Sequence, residues 1–80
     1  MSLKRELEKE IEVLEDEIKE LEVKRMRSIS AILESIISNT PIDQQEARFF
    51  RTYTAEIEAK RENLAKLGKG INLIDTKKFK

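Results

Sequence analysis

The chain contains no cysteine, no histidine and no tryptophan. Without cysteine no disulfide can staple so short a domain. Without histidine or cysteine a zinc site loses its usual ligands, and nucleophilic catalysis loses its commonest nucleophile–base pairs. Proline occurs once and glycine twice in 80 residues, too few for the many turns of a sandwich or barrel. No apolar run is long enough for a membrane span, and no charged-then-apolar leader marks a secretory segment. A cytoplasmic location is therefore expected. Neither sign of charge prevails: sixteen basic residues face sixteen acidic ones, for a formal net charge of zero.

What remains is a helix-forming composition. Charged residues make up 40% of the chain and aromatics 5%, as in coiled coils and long helices. A chain of 9.4 kDa buries only about 60% of the surface that its unfolded form exposes. Such a scaffold gains stability from a second surface.

Residues 2–39 hold neither glycine nor proline, and they read as one helix over about 3–39. Leu7, Ile11, Leu14, Ile18 and Leu21 follow a 4-3-4-3 spacing, which is a heptad seam. The next seam position is Arg25. Beyond it the apolar pattern re-phases to Ile29, Ile32 and Ile36, equivalent to a four-residue stutter. The two halves of this helix differ in composition. Residues 3–24 carry nine acidic and five basic groups, whereas residues 28–38 carry only Glu34. Met26, Ile29, Ile32, Leu33, Ile36 and Ile37 cover a broad arc, with Ser28, Ala31, Ser35 and Ser38 beside it. A stretch so poor in charge is expected to be covered on most sides.

Asn39 and Thr40 precede Pro41. Thr40 is a suitable N-cap, Pro41 suits a first helical position and Asp43 suits the positive helix end. A second helix is therefore expected over about 41–67. The short connection makes the two helices antiparallel neighbours. The second seam runs Phe50, Tyr53, Ile57, Lys60, Leu64 and Leu67, with Phe49 and Ile42 widening it near the turn. Gly68 or Gly70 can end this helix in a left-handed conformation. Ile71 and Ile74 keep the heptad phase only if the glycines are tolerated inside a helix. The expected organisation is a helical hairpin over 1–67 and a C-terminal tail over 68–80. The apolar residues Ile71, Leu73, Ile74 and Phe79 make that tail a cover for Leu7, Ile11 and Leu14, or else a mobile docking segment.

Folding the chain at Thr40 brings unlike charges together. Lys60 falls near Glu17, Glu20 and Glu22, and Arg25 falls near Glu56. Residues 47–80 carry nine basic and four acidic groups and run back along the acidic half of the first helix. Exposed pairs of this kind contribute about 0–1 kcal/mol each, so they set register more than stability.

Two helices cannot cover the arc over 26–37. An all-α hairpin that dimerises into a four-helix bundle is therefore expected. Its oligomer interface would comprise Met26, Ile29, Ile32, Leu33, Ile36, Ile37, Phe49, Phe50, Tyr53 and Ile57. A parallel pairing of the first helix with its copy is the competing arrangement.

Chemistry has little to work with. Glu8, Glu12 and Asp16 stack at four-residue spacing, but this is the ordinary solvated face of a coiled coil. The glycines follow a helix instead of a strand, so they do not form a phosphate loop. No catalytic residue, cofactor, metal or small-molecule substrate is expected, and no membrane-binding face is visible. The function read from the residues is a non-enzymatic structural or protein-interaction module: an adaptor, an assembly factor or a small inhibitor. The alternative is an RNA- or DNA-binding dimer, using Arg25, Arg27, Arg48, Arg51, Lys60, Arg61 and Lys66 as a basic track.

Overall fold

A computed structural model describes the backbone of residues 2–78 and the side chains of residues 2–75. Two helices make up the fold, α1 (Leu3–Ile37) and α2 (Gln44–Lys78). They pack antiparallel into a rod of 63 × 17 × 16 Å. The radius of gyration is 18.2 Å, against about 12 Å for a compact chain of this length. So there is no central core, only a seam.

Each boundary has a local cause. Ser2 caps α1, its side chain accepting the Arg5 N–H at 3.3 Å, which satisfies one of the free donors of the first turn. At the other end Asn39 takes a left-handed conformation, with φ of 60°. The Asn39 N–H donates to the Ile36 carbonyl at 3.2 Å, and the Thr40 N–H donates to the Ser35 carbonyl at 2.9 Å. This is the Schellman pattern that closes a helix. The Thr40 hydroxyl also donates to the Ser35 carbonyl, at 3.3 Å.

That arrangement corrects the expected boundaries. The first helix ends at Ile37, short of residue 39, and Thr40 does not cap the second because its polar groups serve the end of α1. The cap falls instead to Asp43, whose Oδ1 accepts the Gln45 N–H at 2.9 Å, so α2 begins at Gln44 and not at Pro41.

The end of α2 is corrected as well. The helix does not stop near Leu67. It passes through Gly68 and Gly70, neither of which has a positive φ, and continues to Lys78. A glycine inside a helix costs about 1 kcal/mol relative to alanine. Against this, Leu67, Ile71 and Ile74 all become partly buried, and burying such a side chain fully contributes about 1.5–3 kcal/mol. A Cβ placed on Gly70 would lie 3.6 Å from Leu7 Cδ1, so the start of α1 touches this part of α2. The segment expected to cover Leu7 does so as a continuation of α2 instead of a separate tail. Phe79 and Lys80, also assigned to that tail, lie outside the described residues.

The seam keeps one heptad phase from end to end. In α1 the a and d positions are 4, 7, 11, 14, 18, 21, 25, 28, 32 and 35, and all are buried or half-buried. In α2 they are 46, 50, 53, 57, 60, 64, 67, 71 and 74, and all are likewise covered. The stutter expected at Arg25 is therefore absent. Seam position d passes to Ser28, only 3% exposed, while Ile36 points outward at 57%. The unbroken seam of α2 holds α1 in phase, because leaving that phase at Arg25 would uncover both helices. Ile18, Leu21 and Ile57 form the buried cluster, with Tyr53 and Leu64 packed against it. Ile57, at 1% exposed, is the most enclosed large side chain among the described residues.

Candidate interaction surfaces

The ion pairs define the register and the two sides of the rod. Lys4 Nζ lies 2.8 Å from Asp75 Oδ1, Lys60 Nζ lies 3.5 Å from Glu17 Oε2, and Arg61 Nη2 lies 2.6 Å from Glu22 Oε2. The hydrogen bond to Asp75, together with its charge, holds the Lys4 ammonium above the ordinary lysine range. Lys60 thus meets one of the three glutamates expected for it. Arg25 forms no ion pair with Glu56 among the described residues. It occupies a seam position level with Tyr53, while Glu56 lines a cleft with Glu17, Glu20, Lys24 and Lys60.

Positions a and d of both helices are buried or half-buried, and the e positions flank them. The Glu22–Arg61 pair joins e to e and so marks one side of the rod. On the opposite side, Lys24, Arg27, Ser28, Glu46, Phe49 and Tyr53 line an open cleft of about 270 Å³. Here small Ser28 leaves room for the aromatic pair of α2. The Phe49 and Tyr53 ring centroids stand 6.0 Å apart at 28°, within the stacking range.

The residues expected to form an oligomer interface divide into two sets. Ile57 is buried within the hairpin, and Ile32, Phe50 and Tyr53 are half-buried along its seam. Met26, Leu33, Ile36 and Ile37 face outward, with Ile37 84% exposed, while Ile29 is half-covered and Phe49 sits at the rim. The outward set, with Val23, forms one continuous strip on the turn half of α1. Heptad positions place it on the side marked by Glu22 and Arg61.

The basic residues also divide. Lys60 and Arg61 are engaged by Glu17 and Glu22. Arg25 is half-buried in the seam. Arg27, Arg48, Arg51 and Lys66 are exposed and enter no ion pair among the described residues. Arg48 and Arg51 lie on the side of the apolar strip, whereas Arg27 and Lys66 lie on the other side by heptad position.

Polar chemistry is sparse. No group of three or more acidic side chains is placed to hold a metal ion among the described residues, and no described helix is long and apolar enough to cross a membrane. Among the described residues one buried hydroxyl oxygen, Thr54 Oγ1, has no hydrogen-bond partner. It sits at an e position of α2, bordering the side that carries the strip. Sequence reasoning did not single it out, because threonine in an amphipathic helix carries no signal of its own burial. No protein-family model, curated protein or solved structure matches the chain.

Proposed function

We propose that this chain is a non-enzymatic structural and protein-interaction module that works by self-association of its hairpin into a dimer, with four helices meeting where the two copies overlap. One observation carries the reading: the turn half of α1 is apolar on its outside. Met26, Leu33, Ile36 and Ile37 are all more than half exposed, and the stretch 28–38 contains a single charge. Isolated exposed apolar residues need no explanation, but a contiguous strip marks an interaction surface. The action is surface complementarity, as in an adaptor, an assembly factor or a docking inhibitor of a larger protein.

Sedimentation of the unmodified chain at micromolar concentration tests this reading. A dimer or larger species is the expected result. Leu33→Asp should return the chain to a monomer that keeps its helical circular dichroism, since Leu33 is outside the hairpin seam. A monomer at all concentrations would sink the reading.

Arg48 and Arg51, exposed and in no ion pair among the described residues, keep the nucleic-acid reading as the second one. Titration with a labelled single-stranded RNA and a labelled DNA duplex, across a range of salt, tests it. Binding that weakens with salt and disappears in Arg48→Gln/Arg51→Gln would favour it.

A further inference from the structure

Within α1 each residue of the outward strip follows a seam residue by one position: Arg25 then Met26, Ser28 then Ile29, Ile32 then Leu33, Ser35 then Ile36. One residue is about 100° of helix. The strip 26, 29, 33, 36 is therefore a second heptad seam, in 3-4-3 spacing, set about a quarter turn from the first. A helix with two such seams has room for two helical neighbours, and α2 supplies only one.

The second seam is also self-complementary. Reversed about Ala31, it sets Met26 opposite Ile36 of a copy and Ile29 opposite Leu33. The flanking positions Val23, Ser30 and Ile37 match under nearly the same reversal. Charge chooses between the two orientations. On this side residues 5–22 of α1 are net acidic, with Glu8, Glu12, Glu15, Asp16 and Glu22 against Arg5, Lys9 and Lys19. A parallel pair would lay each of these charges level with its own copy, and like charges at close range repel. Reversal about residue 31 sends the two acidic halves in opposite directions. It also sets residue 47 of α2 level with its copy. Arg51, on the side of the strip, then stands level with the partner's Asp43.

We infer that the partner of the outward strip is a second copy of this chain, docked antiparallel and turn to turn. The inference rests on the self-association reading above and gives it a geometry. The overlap runs over about residues 22–40, or roughly 27 Å at 1.5 Å per residue. The hairpin exposes 6491 Å² along its 63 Å length. One quarter of its circumference over that overlap is on the order of 700 Å² per protomer, close to the ~800 Å² of a standard stable interface. The product is a long rod, four helices thick only in its middle.

The test exploits the absence of native cysteine. Met26→Cys and Ile36→Cys hairpins are mixed and equilibrated in a glutathione redox buffer. Both positions are exposed, so both variants keep the hairpin. Antiparallel docking predicts the mixed disulfide in large excess over either homodisulfide. Small-angle scattering of the unmodified dimer should give a maximum dimension of roughly 100 Å, from two 63 Å rods sharing that overlap. A dimer that forms homodisulfides instead, or whose maximum dimension stays near that of one rod, overturns the turn-to-turn geometry and leaves self-association standing. A monomer at high concentration overturns both.

Discussion

The two halves of the rod are built inside out with respect to each other. In the open half, residues 3–24 against about 55–78, the seam is apolar except for Lys4 and Lys60, and the outer faces are mostly charged. Ile18, Leu21 and Ile57 are buried there, and the Lys4–Asp75, Lys60–Glu17 and Arg61–Glu22 pairs all lie there. In the turn half the α1 seam reads Arg25, Ser28, Ile32, Ser35, and the apolar side chains Met26, Leu33, Ile36 and Ile37 stand outside. Hairpin stability therefore comes mainly from the open half. The turn half contributes less to the hairpin and presents the surface that another molecule can cover.

The largest expected effect breaks the open half directly. Ile57→Ala should cost about 2–5 kcal/mol, as large-to-small changes at enclosed sites do, which is much of the total for a domain of this size. Ile36→Ala, at a residue 57% exposed, should cost the isolated hairpin well under ~1 kcal/mol. Urea unfolding of both variants at a concentration where the chain is monomeric checks the contrast. Equal losses would show that the turn half carries the hairpin too.

Gly68→Ala sharpens the account of the open half. Nothing lies within 4 Å of the added Cβ, so the helix propensity gain of about 1 kcal/mol should appear in full. For a domain of this size that raises the melting temperature by roughly 4–8 °C. A lower melting temperature would mean that α2 does not run straight through this point.

Thr54→Val should also stabilise the hairpin, by about 1 kcal/mol or slightly more, because it removes a buried hydroxyl with no partner. Thermal unfolding reads this against Thr52→Val, whose side chain is exposed and whose change should be nearly neutral. Lys60→Leu comes next. Its seam position favours an apolar side chain, and its ion pair with Glu17 is half exposed at 3.5 Å. Stability should hold or rise, and a marked fall in melting temperature would show that the pair is worth more than such pairs usually are.

The smallest effect concerns the chain ends. The Lys4 pKa is raised in the folded state by Asp75. A raised lysine contributes stability that is fully present below its unfolded pKa and fades as pH rises through the folded one. The loss therefore begins above roughly pH 10. Hydrogen exchange at the first turn of α1 should show it as earlier fraying in wild type, and Lys4→Met should abolish that pH dependence.

Much of this hairpin was legible in the residues. The apolar 4-3-4-3 spacing of Leu7 to Leu21, and the 3-4-3-4-3 spacing of Phe50 to Leu67 interrupted by Lys60, determined two amphipathic helices. The Asn-Thr-Pro stretch placed the reversal between them, and the acidic and basic halves gave Lys60 its glutamate. Three things were decided only by the packed structure. Thr40 closes α1 instead of opening α2, because its hydroxyl and N–H both reach the Ser35 carbonyl once the chain turns. The glycines stay helical because Ile71 and Ile74 gain cover from α1, a benefit that no local propensity contains. Ser28 and Ser35 take the seam in place of Ile29 and Ile36, because hydrophobicity alone cannot choose between two adjacent stripes of one helix. The phase is set by the neighbour against which the whole length must pack, and that neighbour leaves the second stripe outside.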